Sequence, residues 1–354
     1  MSRYIIRRLL QAIPTLIGVS LISFFLVKSA PGDPVLAMTY DPKISQATRE
    51  TLRRQLGLDQ PLPVQYVRWL TGLVMRPGDA TAEFSDEDTG CSYVSLLNYT
   101  FCNSGGGVLR ANLGTSITTK QPVWDRIAER IPATLELTTT GLIIGLLLGI
   151  PLGVLSAVRQ GSLFDNLVRF FAVVGNAVPA FWLALLLIFL FGVYLNWLPA
   201  GGRRTVSLSD EFDLVDRLRH ITLPAMVLAV GWVAVLSRFM RAETLEVLHT
   251  DYIRTAKAKG LLPIQVWFIH ATRNALIPLA TILGPAITGL LAGAVITETI
   301  FAWPGMGRLT FDAAIQRDYP VVLGTVMIAS VLVILGNLFS DILYGLIDPR
   351  VRLL

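Results

Sequence analysis

Long apolar runs separated by polar segments dominate the pattern of the chain. A helix that crosses the roughly 30 Å hydrocarbon core of a bilayer needs about 20 mainly apolar residues. Runs of this kind with few charges occur six times, and each predicts a transmembrane helix. The predicted spans are Leu9–Val27, Leu135–Val158, Phe170–Tyr194, Ile221–Leu236, Leu276–Ile300 and Val321–Leu346.

The first run is expected to remain as a membrane anchor. It is long, and the segment that follows Lys28 has no convincing small-residue cleavage site. A cleaved signal peptide is the alternative that the sequence leaves open.

Basic residues close to the spans predict the orientation, because Lys and Arg in short loops tend to stay cytoplasmic. The first span is preceded by Arg7 and Arg8, and the connection from the second to the third span contains Arg159 and Arg169. The connection from the fourth to the fifth span is also basic. With six spans, both termini are therefore expected in the cytoplasm.

About a hundred polar residues between the first two spans predict a small external domain, since the segment is too long for a simple connector. Its first part suggests two helices, Ser45–Leu56 and Pro61–Met75. From Arg76 to Gly107 the composition shifts to Gly, Ser, Asp, Glu and Asn, which suggests a surface excursion.

Two cysteines, Cys91 and Cys102, lie within this excursion. In an oxidising compartment they could form a disulfide, and closing a loop of this size contributes about 3 kcal/mol in the chain-entropy model. Two unpaired thiols are the alternative.

Composition supports a membrane protein. Of 354 residues, 53% are hydrophobic and only 16% are charged, whereas soluble domains are about a quarter charged. The net charge of +5 is spread between apolar stretches, which argues against a nucleic-acid partner. Three dispersed histidines and two cysteines give no metal-binding or catalytic spacing, so we expect no metal, no cofactor and no catalytic residue in this chain.

The sequence contains no Gly-x-x-x-x-Gly-Lys-[Ser/Thr] loop. Without that phosphate-binding loop the chain is not expected to use ATP itself. Energy for transport must then come from a partner or from an ion gradient.

A short cytoplasmic helix is predicted between the fourth and fifth spans. Thr250 or Asp251 can cap its start, and Gly260 can end it. Small side chains would let the helix enter a groove, and two lysines near its C-terminus suit the helix dipole. The candidate residues are Asp251, Tyr252, Arg254, Thr255, Ala256, Lys257, Ala258, Lys259 and Gly260. An amphipathic helix resting on anionic headgroups is the alternative.

This stretch, together with the His270–Pro278 segment that follows it, resembles the EAA loop of type I ABC importer permeases in the peptide/nickel permease family. In that motif Gly260 is the fixed glycine, and Thr255 and Ala256 are the small pair. Arg254 stands where the first Glu of the general motif is usual. The interval from Gly260 to Pro278 is also longer, and both departures resemble the peptide-permease branch.

Further matches to that family extend over most of the chain, apart from the Arg76–Gly107 excursion. They are Tyr4–Leu10, Ala30–Pro34, Asn112–Ser116, Trp303–Leu309, Arg317–Pro320 and Asp348–Arg350.

The resemblance implies an all-α polytopic membrane protein with the six-helix type I ABC importer fold and a small external domain. The implied regions are 1–28 (N-terminal end and first helix), 29–131 (external domain with the insertion 76–107), 132–348 (transmembrane domain with the coupling loop 241–273) and 349–354 (cytoplasmic tail).

It also implies a permease subunit in the bacterial inner membrane that forms half of a pathway for di- and oligopeptides. The implied partners are a second related permease, two ABC ATPase subunits that use ATP and Mg, and a periplasmic or lipid-anchored binding protein. Nickel chelates, glutathione and oligosaccharides are alternative substrates.

Candidate pathway residues fall into two groups. Gly141, Gly145, Gly149 and Gly153 form a smooth helix face, for which helix packing is favoured over a pathway. The other candidates for the pathway or for packing are Asn176, Gly284, Thr288, Gly289 and Glu298. Glu136, Glu298 and Asp341 lie near predicted span ends, where a boundary role is favoured over substrate contact.

An ion-coupled secondary transporter is the main alternative of another class, because it also needs no ATP motif. Such transporters normally show inverted repeats and a midplane ion site. Neither an internal repeat nor a deep acidic residue is evident in this sequence. An intramembrane enzyme and a receptor-like protein fit less well, since no nucleophile and base pair lies at depth and a receptor needs no cytoplasmic helix.

Overall fold

The computed structural model describes residues 2–29, 35, 45–55, 58–77, 93–96, 99–103, 106–205, 213–276, 278–279, 286, 289 and 294–347. Helices dominate this part of the chain. They are α1 Ser2–Ser29, α2 Gln46–Gln55, α3 Leu62–Thr71, α4 Val123–Val158, α5 Leu163–Ala177, α6 Ala180–Leu187 with a π-helical continuation Ile188–Tyr194, α7 Leu214–Leu248, α8 Asp251–Ala258, α9 Pro263–Gln265 continuing through a π turn Val266–Ala271 into Thr272–Ala275, α10 Val295–Ile300, α11 Met306–Ile315 and α12 Tyr319–Ile347.

Within the described residues, four helices are long and apolar enough to cross a membrane: Ile6–Ser29, Val123–Val158, Leu214–Leu248 and Tyr319–Ser340. The first, second and fourth predicted spans lie inside the first three of these helices, and the sixth, Val321–Leu346, overlaps Tyr319–Ser340. The mainly α-helical, multi-pass fold class is therefore confirmed. The predicted fifth span, Leu276–Ile300, lies largely outside the described residues. The count of six spans therefore stays a prediction.

The third predicted span is broken. Instead of one helix over Phe170–Tyr194, the chain forms α5 and α6, which are bent by 102° relative to each other. Pro179 has no amide hydrogen and restricts the residue before it to extended backbone. Val178 accordingly has φ −70° and ψ 125°, and the helix ends there. The apolar run alone does not reveal this break.

The chain divides into two compact units, and one of them consists of residues 12–129 and 310–330. In this unit α3 packs on the second half of α1. The ring centroid of Phe24 lies 5.5 Å from those of both Tyr66 and Trp69. The hydroxyls of Ser20 and Tyr66 are 2.8 Å apart.

Helix α3 ends at Thr71, before the predicted end at Met75. Gly72 closes it in the left-handed conformation, with φ 74°, and its N–H donates to the Arg68 carbonyl. The chain then enters a strand instead of a further helical turn.

A three-stranded antiparallel sheet occupies part of the Arg76–Gly107 region that composition suggested was a surface excursion. Its strands are β1 Leu73–Pro77, β2 Tyr93–Leu96 and β3 Tyr99–Asn103, in the order β1-β3-β2. In the register of the sheet, Cys102 of β3 lies opposite Val74 of β1 and opposite Tyr93 of β2. Cys91 lies outside the described residues, so the disulfide stays a prediction.

The other unit consists of residues 1–11, 130–309 and 331–354. Its centre is the contact of α4 with α7, where four glycines spaced by four residues meet Leu228, Trp232, Leu236 and the Ser237–Met240 turn. A Cβ on Gly141 would come within 2.7 Å of the Leu228 Cβ, and one on Gly153 within 2.6 Å of the Ser237 carbonyl oxygen. Helix α7 covers the smooth face, in agreement with the favoured packing interpretation.

Candidate functional site

Helix α8 is the short helix predicted after the fourth span. It runs from Asp251 to Ala258 and follows α7 after two residues. Gly260 ends it with φ 75°, and its N–H donates to the Lys257 carbonyl at 3.0 Å. Left-handed backbone of this kind favours glycine.

The start of α8 differs from the expectation. Thr250 occupies the N-cap position but makes no side-chain cap; its hydroxyl donates to the Val247 carbonyl at 2.6 Å. Asp251 lies in the first turn, where the helix dipole favours a negative charge, and it pairs with Arg254 at 3.2 Å on the exposed side.

Helix α8 has one buried face and one exposed face. Ile253 and Ala256, three residues apart, are 0% and 7% exposed and pack on Val266 and Ala271 of α9. The candidate residues on the outer side are Asp251, Tyr252, Arg254, Thr255, Lys257, Ala258 and Lys259. The two small residues of the motif therefore lie on opposite faces of α8, with Thr255 exposed and Ala256 packed against α9.

Two side chains join α8 to the rest of its unit. Val247 at the end of α7 and Trp267 in α9 pack against the cluster around Ile253. The same two side chains also pack against the cluster that contains Met240 of α7 and Val154 of α4. Helix α8 is therefore connected to α7 and α4 through a continuous set of packed side chains.

Helix α9 carries a π turn at Val266–Ala271. The Thr272 hydroxyl donates to the Trp267 carbonyl, five residues earlier, at 2.9 Å. Such π turns are uncommon and occur often at functional sites. The His270–Pro278 segment begins inside this turn, with His270 exposed.

Asp165, near the start of α5, is a site residue that the sequence reasoning missed. Its side chain is buried and accepts two hydrogen bonds from the Arg241 guanidinium, at 2.7 and 2.8 Å. It also accepts from the Ser156 hydroxyl at 2.5 Å and from the Gly161 N–H at 2.9 Å. The one signal in the sequence is an acid inside an otherwise basic short loop, and this usually denotes a solvated surface.

Glu298 in α10 is fully buried and hydrogen-bonded to the protein, and its role as a boundary residue or a substrate contact stays a prediction. It accepts from the Thr134 hydroxyl of α4 at 2.8 Å and from the Arg308 N–H of α11 at 3.0 Å. A Cβ on Gly305 would overlap this carboxylate. The Trp303–Leu309 motif therefore surrounds Glu298, and the absence of a side chain at Gly305 leaves space for the carboxylate.

Glu136 is also paired. It accepts hydrogen bonds from Arg203 at 2.6 Å and from Arg217 at 2.5 and 2.6 Å. Both guanidinium groups lie about 6 Å from the Trp303 ring centroid. The side chain of Asp341 is outside the described part of the structure.

Two motifs meet at Asp318. Its buried carboxylate accepts from the Ser116 hydroxyl, from the Ile117 N–H at 2.9 Å and from Arg126 at 3.4 Å. The Asn112–Ser116 and Arg317–Pro320 segments are thereby joined by one contact between distant parts of the sequence.

The remaining pathway candidates are only partly described. Asn176 is exposed on the last turn of α5, and Gly289 is exposed, with no atom of the described residues within 4 Å of an added Cβ. Gly284 and Thr288 lie outside the described residues. Over the described ranges, no cluster of three or more His, Cys, Asp or Glu side chains could hold a metal ion.

Comparison with known proteins gives matches at both ends and through the core. Residues 149–353 match the family model "Binding-protein-dependent transport system inner membrane component", and residues 1–104 match the N-terminal model of such membrane components. A structure titled as an inward-facing MetNI methionine ABC transporter is 19% identical, with a TM-score of 0.47 over 63% of this chain and 96% of that chain.

Curated relatives align over almost the full length. The oligopeptide transport system permease protein AppB of Bacillus subtilis (strain 168) is 43% identical over 99% of this chain and 100% of its own. The di/tripeptide transport system permease protein DppB of Pseudomonas aeruginosa (strain UCBPP-PA14) is 40% identical, with 99% of each chain covered. The dipeptide transport system permease protein DppB of Escherichia coli (strain K12) is 38% identical at the same coverage. On these matches the chain belongs to the family of binding-protein-dependent transport system inner membrane components.

Proposed function

We propose that this chain is one permease subunit of an ATP-driven importer and forms half of a translocation pathway for di- or oligopeptides. The names of the near-full-length relatives support peptides as the substrate class. Nickel chelates, glutathione and oligosaccharides are the substrates to test against them.

Helix α8 is the docking element for an ATPase subunit in this proposal. The observation that carries it is the division of α8 into a buried face, Ile253 and Ala256, and an exposed face that includes Tyr252 and Thr255. A helix resting on headgroups would bury apolar side chains in lipid. Ile253 and Ala256 instead face their own unit, and the exposed face combines polar and charged side chains with Tyr252 and Ala258, a compact surface for a protein partner.

The proposed complex contains a second related permease, two ATPase subunits and a periplasmic or lipid-anchored binding protein. The ATPases hydrolyse ATP with Mg, and this chain has a transport role without catalysis. Both termini and α8 face the cytoplasm, as Arg7 and Arg8, then Arg159 and Arg169, and the basic residues around α8 suggest.

The proposed mechanism is alternating access. ATP-driven closure of the ATPases displaces α8, and Val247 and Trp267 carry that displacement into α7 and α4. The cavity between the two permeases then opens outward to receive substrate from the binding protein, and hydrolysis returns it inward.

The first test is purification of the chain from native membranes in mild detergent, followed by reconstitution of the co-purifying complex in liposomes. We expect a second permease and Walker-motif ATPases to co-purify, and labelled di- and tripeptides to enter only with ATP and binding protein. A chain that purifies alone and moves solute without ATP would instead be a secondary transporter.

The docking role has a matched pair of variants at one exposed position. Thr255→Trp should prevent α8 from entering the groove of the ATPase subunit and abolish both ATPase association and uptake. Thr255→Ala leaves a small side chain at this position and should preserve both. Normal uptake by Thr255→Trp in a complete complex would contradict docking at this face.

A further inference from the structure

Two helices meet next to a buried charge cluster at the end where α8 begins. Helices α4 and α7 are in direct contact at Gly153, where an added Cβ would lie 2.6 Å from the Ser237 carbonyl oxygen and 3.1 Å from the Arg241 nitrogen. One turn further on, Ser156 of α4 and Arg241 of α7 both bind Asp165 of α5. Three helices are therefore joined at one carboxylate.

The contacts of Asp165 hold each neighbour in a defined direction. Arg241 binds it with two parallel N–H donors, and such paired contacts fix geometry as well as charge. Ser156 is 0% exposed, and the Gly161 N–H comes from the turn between α4 and α5. The carboxylate thus receives bonds from both helices and from the turn.

The cluster lies beside the apolar route from α8. Arg241 follows Met240, which belongs to the cluster that shares Val247 and Trp267 with α8. Arg241 precedes the end of α7 by seven residues, or about 10 Å of helix. Apolar contacts have no preferred direction and permit sliding, whereas the bidentate pair does not.

We propose that Asp165 and Arg241 are positioning residues that lock α5 and the end of α4 to α7, so that movement of α8 displaces the three helices together. Without the lock, α7 moves with α8 while α5 stays behind. ATP is then hydrolysed without the full conformational change. This inference rests on the proposed importer function.

The test uses the whole reconstituted complex with ATP, binding protein and labelled peptide, and measures the number of peptides taken up per ATP hydrolysed. In Asp165→Asn and Arg241→Lys we expect this ratio to fall about tenfold, within the usual range of coupling between sites. The basal ATPase rate should stay within about twofold of wild type, since neither residue touches nucleotide. Glu136→Gln, which removes a charged contact between α4 and α7 nearer their other ends, is the matched control and should keep the ratio.

Co-purification of each variant with its partner subunits distinguishes a positioning role of the cluster from a role in folding alone. Arg241→Lys keeps the positive charge beside Asp165 and carries the test should Asp165→Asn fail to co-purify with its partners. Failure of both variants to assemble would overturn the proposal, because the cluster would then serve folding alone. An unchanged ratio in assembled variants would also overturn it. A wild-type complex that shows no ATP-driven uptake would instead refute the proposed function itself.

Discussion

Gly145 of α4 lies directly against Trp232 of α7, so that a Cβ on the glycine would overlap the Cβ of the tryptophan. This contact is the tightest in the glycine stripe, and it limits how closely α4 and α7 approach each other.

Gly145→Ala should therefore weaken the packing of α4 on α7. Overpacking of this kind costs about 1–3 kcal/mol. A lower unfolding temperature in detergent, followed by tryptophan fluorescence, would report the loss. Gly231→Ala is the matched control, because an added Cβ on this glycine of α7 meets nothing within 4 Å. Equal stability of the two variants would contradict the close approach.

Gly260 permits a substitution test that depends on backbone conformation alone. Its φ is 75° and no atom lies within 4 Å of an added Cβ. Gly260→Val should strain the end of α8 by about 1–2 kcal/mol and reduce ATPase association and uptake. Gly260→Asn should be tolerated, since asparagine adopts left-handed backbone more readily. Membrane insertion should be normal in both, and wild-type uptake by Gly260→Val would count against the role of α8.

The buried hydroxyl of Thr244 in α7 has no hydrogen-bond partner within the described structure. Thr244→Val should leave stability unchanged or raise it by about 1 kcal/mol, because an unpaired polar group is replaced by a methyl group of the same shape. Thr134→Val is the contrasting variant, since its hydroxyl donates to Glu298 and accepts from the Met306 N–H. That change should cost about 1–3 kcal/mol. Thermal unfolding of both variants in one detergent measures the two effects. A loss of stability in Thr244→Val would contradict the absence of a hydrogen-bond partner for this hydroxyl.

Asp318→Asn removes the charge that Ser116, Ile117 and Arg126 share. We expect a loss of about 1.5–3 kcal/mol, the usual contribution of a hydrogen bond to a charged group, seen as faster proteolysis of the segment before α4. Ser116→Ala deletes one neutral donor and should have a smaller effect. The opposite order of the two effects would show that Asp318 is not the centre of this contact.

The parts of the fold that the sequence predicted are those with one dominant physical signal. Apolar length alone locates α1, α4, α7 and α12. The glycine period predicts the face on which α4 packs, and Gly260 predicts the end of α8. In each case a local pattern determines a local structure.

The missed features depend on partners that are distant in sequence or on a single residue inside an otherwise uniform run. Pro179 breaks a span whose hydropathy is continuous, and the small sheet forms because β1 pairs with β3, which lies more than twenty residues away. Asp165 is buried because Arg241, 76 residues later in the sequence, binds its carboxylate. Hydropathy and spacing carry no information about such pairings.

The contact between Ser116 and Asp318 also has a consequence for biogenesis. The two residues are 202 positions apart, and synthesis at roughly 5–20 residues per second separates their emergence by about 10–40 s. Throughout that interval the amides of Ile117 and Thr118 have no carboxylate to bind. The segment ahead of α4 therefore reaches its final structure only after Asp318 has been made, at the start of the last long helix. A chain truncated by translational arrest before that helix should accordingly be degraded by membrane proteases faster than the full-length chain.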